Sequence, residues 1–142
     1  MRDVAIREAS QADAPAIARL LAHLGYAVTP AQAASRLATL TQPSDAVFLA
    51  EQDGHALGLI ALHRTQMLHV EGETARITAL VVAPEARRQG IASALLARAR
   101  AWSAGCTVLE LTTGTNRTDA HEFYRSEGFV SNAIRFKSAP GR

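Results

Sequence analysis

The sequence holds one cysteine, Cys106, which excludes a disulfide within the chain and fits a reducing compartment. Aromatic residues amount to 5%, so aliphatic side chains must fill most of any core. Lysine occurs once, as Lys137, and this excludes a phosphate loop ending in Gly-Lys-Ser/Thr. A Rossmann dinucleotide turn is excluded as well, because its three spaced glycines and following acidic strand end are missing. No run of about eighteen apolar residues occurs, and residues 1–8 carry no apolar stretch of signal-peptide length. The expected address is therefore cytoplasmic, without a membrane partner. A formal charge of +2, with arginines scattered from Arg2 to Arg142, argues against a nucleic-acid partner, whose affinity would come from clustered phosphate contacts. The histidines lack ligand spacing, so no metal is expected.

What is present is an ordinary globular balance of 48% hydrophobic and 20% charged residues over 142 positions. That length fits a single domain spanning residues 1–142, burying roughly two-thirds of its unfolded surface. Alternation predicts a short strand over residues 4–7. Ser10 followed by Asp13 reads as a capping box, and Ile17, Leu20, Leu21 and Leu24 share one helical face before Gly25 ends the helix. Thr29, Pro30 and Gln32 mark a second helix start. Strands are predicted over residues 46–52 and 56–63, joined by the Asp53-Gly54 turn, and a central strand over residues 76–82. A helix over residues 90–104, a strand over 106–112, a short helix capped by Asp119 with Glu122 and closed by Gly128, and a last strand over 129–137 complete the order β-α-α-β-β-β-α-β-α-β. This pattern implies an α/β fold with a single mixed central sheet flanked by helices.

The segment 84–92 is the most informative. A helix start leaves up to four N–H groups without partners, and a Ser, Thr, Asp or Asn cap commonly satisfies some of them. None stands between Pro84 and Ala92, whereas the other helix starts read as capped. Gly90 and Ala92 are small, Arg87 and Arg88 add positive charge, and Ser93 offers a hydroxyl. The start reads equally as an anion site or as a helix end satisfied by water.

Arg87-Arg88-Gln89-Gly90-Ile91-Ala92 resembles the R/Q-x-x-G-x-G/A signature of the GCN5-related N-acetyltransferases, and Tyr124-Arg125-Ser126-Glu127-Gly128-Phe129 resembles that family's Y-x-x-x-G-F. The element order agrees over essentially the whole chain. The resemblance implies an enzyme that carries acetyl-CoA pyrophosphate on Arg87, Arg88, Gln89, Gly90, Ile91, Ala92 and Ser93. It implies a pantetheine arm bonded to main chain near Leu80, Val81 and Val82, where a backbone N–H polarises the acetyl carbonyl. Tyr124 would lie at the cofactor sulfur and protonate it, with ordinary aromatic packing as the alternative. The resemblance makes Glu110 the carboxylate best placed to take the amine's proton, directly or through water, since several family members use an acid on this strand, and its apolar strand neighbours would raise its pKa; a solvent-facing position is the alternative. Arg76 stands where histone-type members place a glutamate. Arg117 coincides with the family's asparagine, so cofactor contact passes to the adjacent Asn116.

Arg117, His121 and Tyr124 can share a helix face, as functional groups or as a solvated edge. His63 and His69 are candidates for lining an acceptor pocket, and Cys106 reads as a small apolar residue in a strand. The function implied is direct acetyl transfer from acetyl-CoA to a primary amine, of a small molecule in the first instance. A protein N-terminal or lysine acetyltransferase and a non-catalytic acyl-CoA sensor are the alternatives. Family members often pair, so a homodimer is a further expectation.

Overall fold

The computed structural model describes residues 3–141. In chain order it contains β1 (Ala5–Glu8), a 3-10 turn (Gln11–Asp13), α1 (Ala14–Ala22), α2 (Pro30–Thr39), β2 (Asp45–Gln52) and β3 (His55–Gln66). There follow β4 (Glu73–Val82), a second 3-10 turn (Pro84–Ala86), α3 (Ile91–Trp102), β5 (Val108–Leu111) and α4 (Thr118–Ser126). The chain divides into two compact units, Met1–Leu111 and Thr112–Arg142. The first carries a five-stranded sheet in the order β1-β2-β3-β4-β5. Its pairs are antiparallel except β4 with β5, which are parallel and joined by the α3 crossover that such a pair needs. The α/β fold with a single mixed sheet is as expected.

Local chemistry accounts for the element ends. Asp53 and Gly54 have φ of 52° and 79°, the left-handed pair that a two-residue hairpin turn requires. Thr29 caps α2 reciprocally: its hydroxyl accepts from the Gln32 N–H at 3.1 Å and its own N–H donates to Gln32 Oε1 at 3.0 Å. The Ser10–Asp13 box forms around the first 3-10 turn, with Ser10 N–H donating to Asp13 Oδ2 at 2.7 Å. Pro15, early in α1, removes an N–H where none is needed. Arg7 then grips both Asp13 oxygens at 2.8 Å and also reaches Glu51, tying β1 to this turn and to β2.

Opposed residues on neighbouring strands point to one face. On one face Phe48 and Ile60 are paired and buried, and α3 lies over them with Leu95 and Leu96 buried beneath. Gly58 sets the separation: a Cβ there would stand 3.2 Å from Ile91 and from Leu95, and 3.0 Å from the Val81 carbonyl. Arg98 of α3 rests its guanidinium 4.7 Å from the Phe48 ring centre, so it covers the core edge and is not simply solvated. The opposite face buries Leu49, Leu59 and Val81, where α1 meets β3 and β4. Each such fully buried aliphatic contributes roughly 1.5–3 kcal/mol.

Three expectations need correction. Residues 129–137 form no strand; Val130, Ile134 and Phe136 are exposed, Phe136 at 88%. Their alternation has the composition of a strand, but strand structure requires a neighbouring ladder and a surface to pack on. β5 is confined to Val108–Leu111, so half-buried Cys106 lies in the turn before it, its N–H bonded to the Ser103 carbonyl at 2.8 Å. Finally, α4 starts from Arg117 without a side-chain cap, and Asp119 sits inside its first turn. A left-shifted start of this kind puts the carboxylate near the helix dipole instead of at the cap.

Candidate active site

In the first unit, the segment from β4 into α3 turns through Arg88 and Gly90, whose φ angles are 63° and 78°. Gly90 adopts the left-handed region without penalty, whereas Arg88 bears about 1–2 kcal/mol of strain there. The turn delivers α3 with Gly90 as N-cap and no side-chain cap. Its first helical bond is Ala94 N–H to Gly90 C=O at 3.0 Å, so the N–H groups of Ile91, Ala92 and Ser93 lie ahead of any helical acceptor. Arg87, Arg88, Gln89, Gly90 and Ser93 are exposed and Ala92 is half-buried. Ile91 is buried against the sheet, so only its main chain can meet a ligand. Lacking a cap is not peculiar to α3, because α4 shares it. What distinguishes α3 is the combination with two left-handed residues, two arginines and a small first turn, an arrangement suited to a diphosphate.

Just upstream, β4 changes partners. Its ladder with β3 pairs Ala61 with Ala79 and Leu62 with Ile77, so Thr78 is an extra, bulged residue. Bulges of this kind bend a strand and re-aim its main chain. The β4–β5 ladder ends at the same level, with Ile77 opposite Leu111. Among the described residues, β4 continues to Val82 with a ladder to β3 alone. Leu80, Val81 and Val82 fall on this continuation, Val81 buried and the other two half-buried. Leu80 and Val82 turn main-chain N–H and C=O groups to the side that β5 has left.

Glu110 lies opposite Arg76 in the parallel ladder, and its Oε1 accepts from Arg76 Nη1 at 3.2 Å. The two side chains are 44% and 35% exposed. The apolar surroundings expected for Glu110 are therefore replaced by the guanidinium of Arg76. On the same face His63 is paired with Arg76, and Asp45 with His63. His63 Nδ1 and Asp45 Oδ1 are 2.7 Å apart. Asp45 was missed, since only cross-strand register brings it beside a histidine eighteen residues away. His69 is exposed on the loop after β3. Among the described residues no group of three His, Cys, Asp or Glu side chains could hold a metal ion, and no helix is long and apolar enough to cross a membrane.

In the second unit, α4 ends in a Schellman cap. Gly128 has φ of 93°, its N–H bonds to the Arg125 carbonyl at 3.1 Å, and Phe129 N–H bonds to the Tyr124 carbonyl at 3.0 Å. The Phe129 and Tyr124 rings meet edge to face at 5.8 Å, the apolar contact that accompanies this cap. The glycine and phenylalanine of the motif thus fix the tyrosine. Burial pushes the Tyr124 phenol above its ordinary value of 10.0, opposed in lesser degree by the positive charge of Arg117. The phenol therefore keeps its proton through the neutral range. His121 Nε2–H donates to the Gly114 carbonyl at 2.8 Å, and Arg117 N–H donates to the same oxygen at 3.1 Å. Both hold the loop before α4, on which Asn116 is exposed.

Comparison with known proteins identifies the family and the fold. Residues 10–129 match the model of the acetyltransferase (GNAT) family. The chain is 40% identical over 104 residues to an aminoalkylphosphonate N-acetyltransferase of Salmonella typhimurium, covering 72% of this chain and 68% of that one. Among solved structures it is similar to a transcriptional regulator from Bacillus halodurans, with a TM-score of 0.87 at 27% identity over 96% of this chain and 99% of the other. It also shares its fold with the aminoglycoside N-acetyltransferase AAC(6')-Iy in complex with CoA, with a TM-score of 0.85 at 18% identity over 99% and 97% of the two chains. The chain is an N-acetyltransferase with acetyl-CoA as its donor, and it belongs to the acetyltransferase (GNAT) family.

Proposed function

We propose that residues 1–142 act as one acetyltransferase domain that passes the acetyl group directly to the primary amine of a small zwitterionic molecule, aminoalkylphosphonates being the leading class. The observation that carries this reading is the start of α3. Its uncapped amides, left-handed Arg88 and Gly90 and adjacent arginines suit the diphosphate of acetyl-CoA. Asn116 is a further cofactor contact that the family resemblance suggests. Main-chain N–H groups beyond the Thr78 bulge, at Leu80 and Val82, would polarise the acetyl carbonyl, the kind of donor that stabilises a developing oxyanion, while the Val81 N–H faces Leu59 in the β3 ladder. Tyr124, kept protonated by burial, would supply the proton to the departing thiolate. The acceptor class is supported by Arg76 on the sheet face, whose guanidinium suits a phosphonate. It is also the class named for the similar Salmonella protein.

The test is release of CoA thiol with aminomethylphosphonate, 2-aminoethylphosphonate, an aminoglycoside and a lysine-containing peptide. The expected order places the aminophosphonates first. Tyr124→Phe should lower kcat by about 10²–10³ with CoA affinity unchanged. Preference for the peptide would instead indicate a protein acetyltransferase, and tight CoA binding without turnover on any amine would indicate a sensor.

A further inference from the structure

The sheet face opposite α3 carries a lateral row of ionisable side chains in cross-strand register. Asp45 of β2 faces His63 of β3, His63 faces Arg76 of β4, and Arg76 faces Glu110 of β5. The outer pair of this row, Arg76 with Glu110, is an ion pair. The inner pair is built differently. The Asp45 side chain is 12% exposed while that of His63 is 46% exposed, so a sheltered carboxylate holds a ring that reaches solvent. Asp45 Oδ1 meets His63 Nδ1 at 2.7 Å, and Oδ2 accepts from the Ser44 hydroxyl at 2.9 Å.

A carboxylate whose second oxygen already takes a hydroxyl proton is an acceptor toward the ring as well, so Nδ1 is the nitrogen that donates. In the neutral ring this leaves the lone pair on Nε2, pointing away from Asp45. A carboxylate that fixes the tautomer and steadies the imidazolium is the arrangement by which histidine is made an effective proton acceptor. Glu110 has no such arrangement, being engaged with a guanidinium. The position fits as well. Arg76, directly opposite His63, precedes the bulged Thr78 by about 7 Å of strand, and Leu80, the first of the residues assigned above to the acetyl group, follows the bulge by about 7 Å more.

From this juxtaposition we infer that His63, oriented by Asp45, is the proton acceptor for the acceptor amine, with Arg76 holding the anionic end of that molecule. The inference rests on the acetyl-transfer reading and adds the base to it. His63 Nε2 takes one proton from the ammonium, giving a neutral amine and an imidazolium whose Nδ1–H stays on Asp45. The amine nitrogen then attacks the thioester carbon, the C–N bond forms, the C–S bond breaks, and the thiolate leaves. The nitrogen's second proton balances the thiolate as CoA thiol, and the imidazolium returns its proton to solvent through its exposed edge. Asp45 acts through His63 and is a positioning residue.

Two measurements on the full chain test this. His63→Asn keeps an amide N–H for Asp45 and removes the Nε2 lone pair. The expected result is a loss of about 10²–10³ in kcat for aminomethylphosphonate, CoA affinity within about twofold, and partial recovery with added imidazole. Independently of turnover, long-range proton–nitrogen NMR should find the neutral His63 ring protonated at Nδ1 in the wild type and at Nε2 in Asp45→Asn. A His63→Asn kcat within about threefold of wild type, or a wild-type ring protonated at Nε2, would overturn the assignment. Failure of the acetyl-transfer reading shows elsewhere, as a wild-type chain inactive on every amine, and leaves the tautomer readout to decide the Asp45–His63 pairing.

Discussion

Ser93→Glu separates helix stability from anion affinity at the start of α3. Gly90 is the N-cap of that helix, so Ser93 is the third helical residue, exposed to solvent. A glutamate there lies in the first turn and can reach back toward the cap N–H. Toward the helix it is favourable by about 0.3–1 kcal/mol, which for a chain of 142 residues raises Tm by about 1–4 °C. Toward a diphosphate it is repulsive. At about 6 Å and an effective dielectric between bulk water and a protein surface, each pair of like charges costs about 0.7–3 kcal/mol. Two phosphate charges therefore lower CoA affinity by about tenfold to ten-thousandfold, most strongly at low ionic strength. Differential scanning calorimetry reads the first effect and titration calorimetry with CoA the second, with Ser93→Ala as a control expected to change affinity by less than about threefold. A variant that melts higher and binds CoA as wild type does would refute the reasoning, since the N–H groups of that turn could not then be the diphosphate's seat.

Other expectations follow from single contacts. The bidentate Arg7 grip and the Ser10 N–H hold the Asp13 carboxylate down to about 2 from 3.8; stability from this group is complete above pH 3.8 and is lost as pH falls toward 2. Asp13→Asn should thus flatten the acid limb of a Tm-against-pH curve below pH 4, and an unchanged limb would assign acid unfolding to other carboxylates. Gly58→Ala gains about 0.4–1 kcal/mol through the unfolded chain but must displace the Val81 carbonyl, Ile91 or Leu95, costing about 1–3 kcal/mol. Urea denaturation should show a net loss, and a stabilised variant would mean that α3 yields freely. Gly128→Ala, forced to φ near 93°, should cost about 1 kcal/mol, with no change in the denaturation midpoint counting against the Schellman cap.

Most of the sheet was legible because its signals are local. Asp53-Gly54, the Thr29 box and the apolar run before Pro84 each state a turn, a cap or a buried strand within a few residues. The segment 129–137 was misread for the complementary reason: Ile134 and Phe136 alternate correctly, yet pairing depends on a distant edge that no nearby residue reports. The candidate site divides in the same way. The turn from Arg87 to Ser93 announces itself through small residues, charge and a missing cap. Glu110 was read among its sequence neighbours Leu109 and Leu111, which point to the other face, while its true neighbour Arg76 is thirty-four positions away. Asp45 escaped notice since an aspartate before an apolar strand looks like an ordinary loop end until register sets it beside His63. The Thr78 bulge has no sequence mark at all, because it exists only as a difference between two ladders.

That bulge has a bearing on how variation in this protein should be interpreted. Where β4 leaves β5 and keeps only β3, recognition passes to amides and carbonyls common to every amino acid. Side-chain replacement at Leu80 or Val82 leaves such bonds in place, so scanning mutagenesis would score the stretch as tolerant even if it gripped the substrate firmly. Replacing a single peptide link by an ester, which deletes one N–H and nothing else, is the probe matched to that kind of surface.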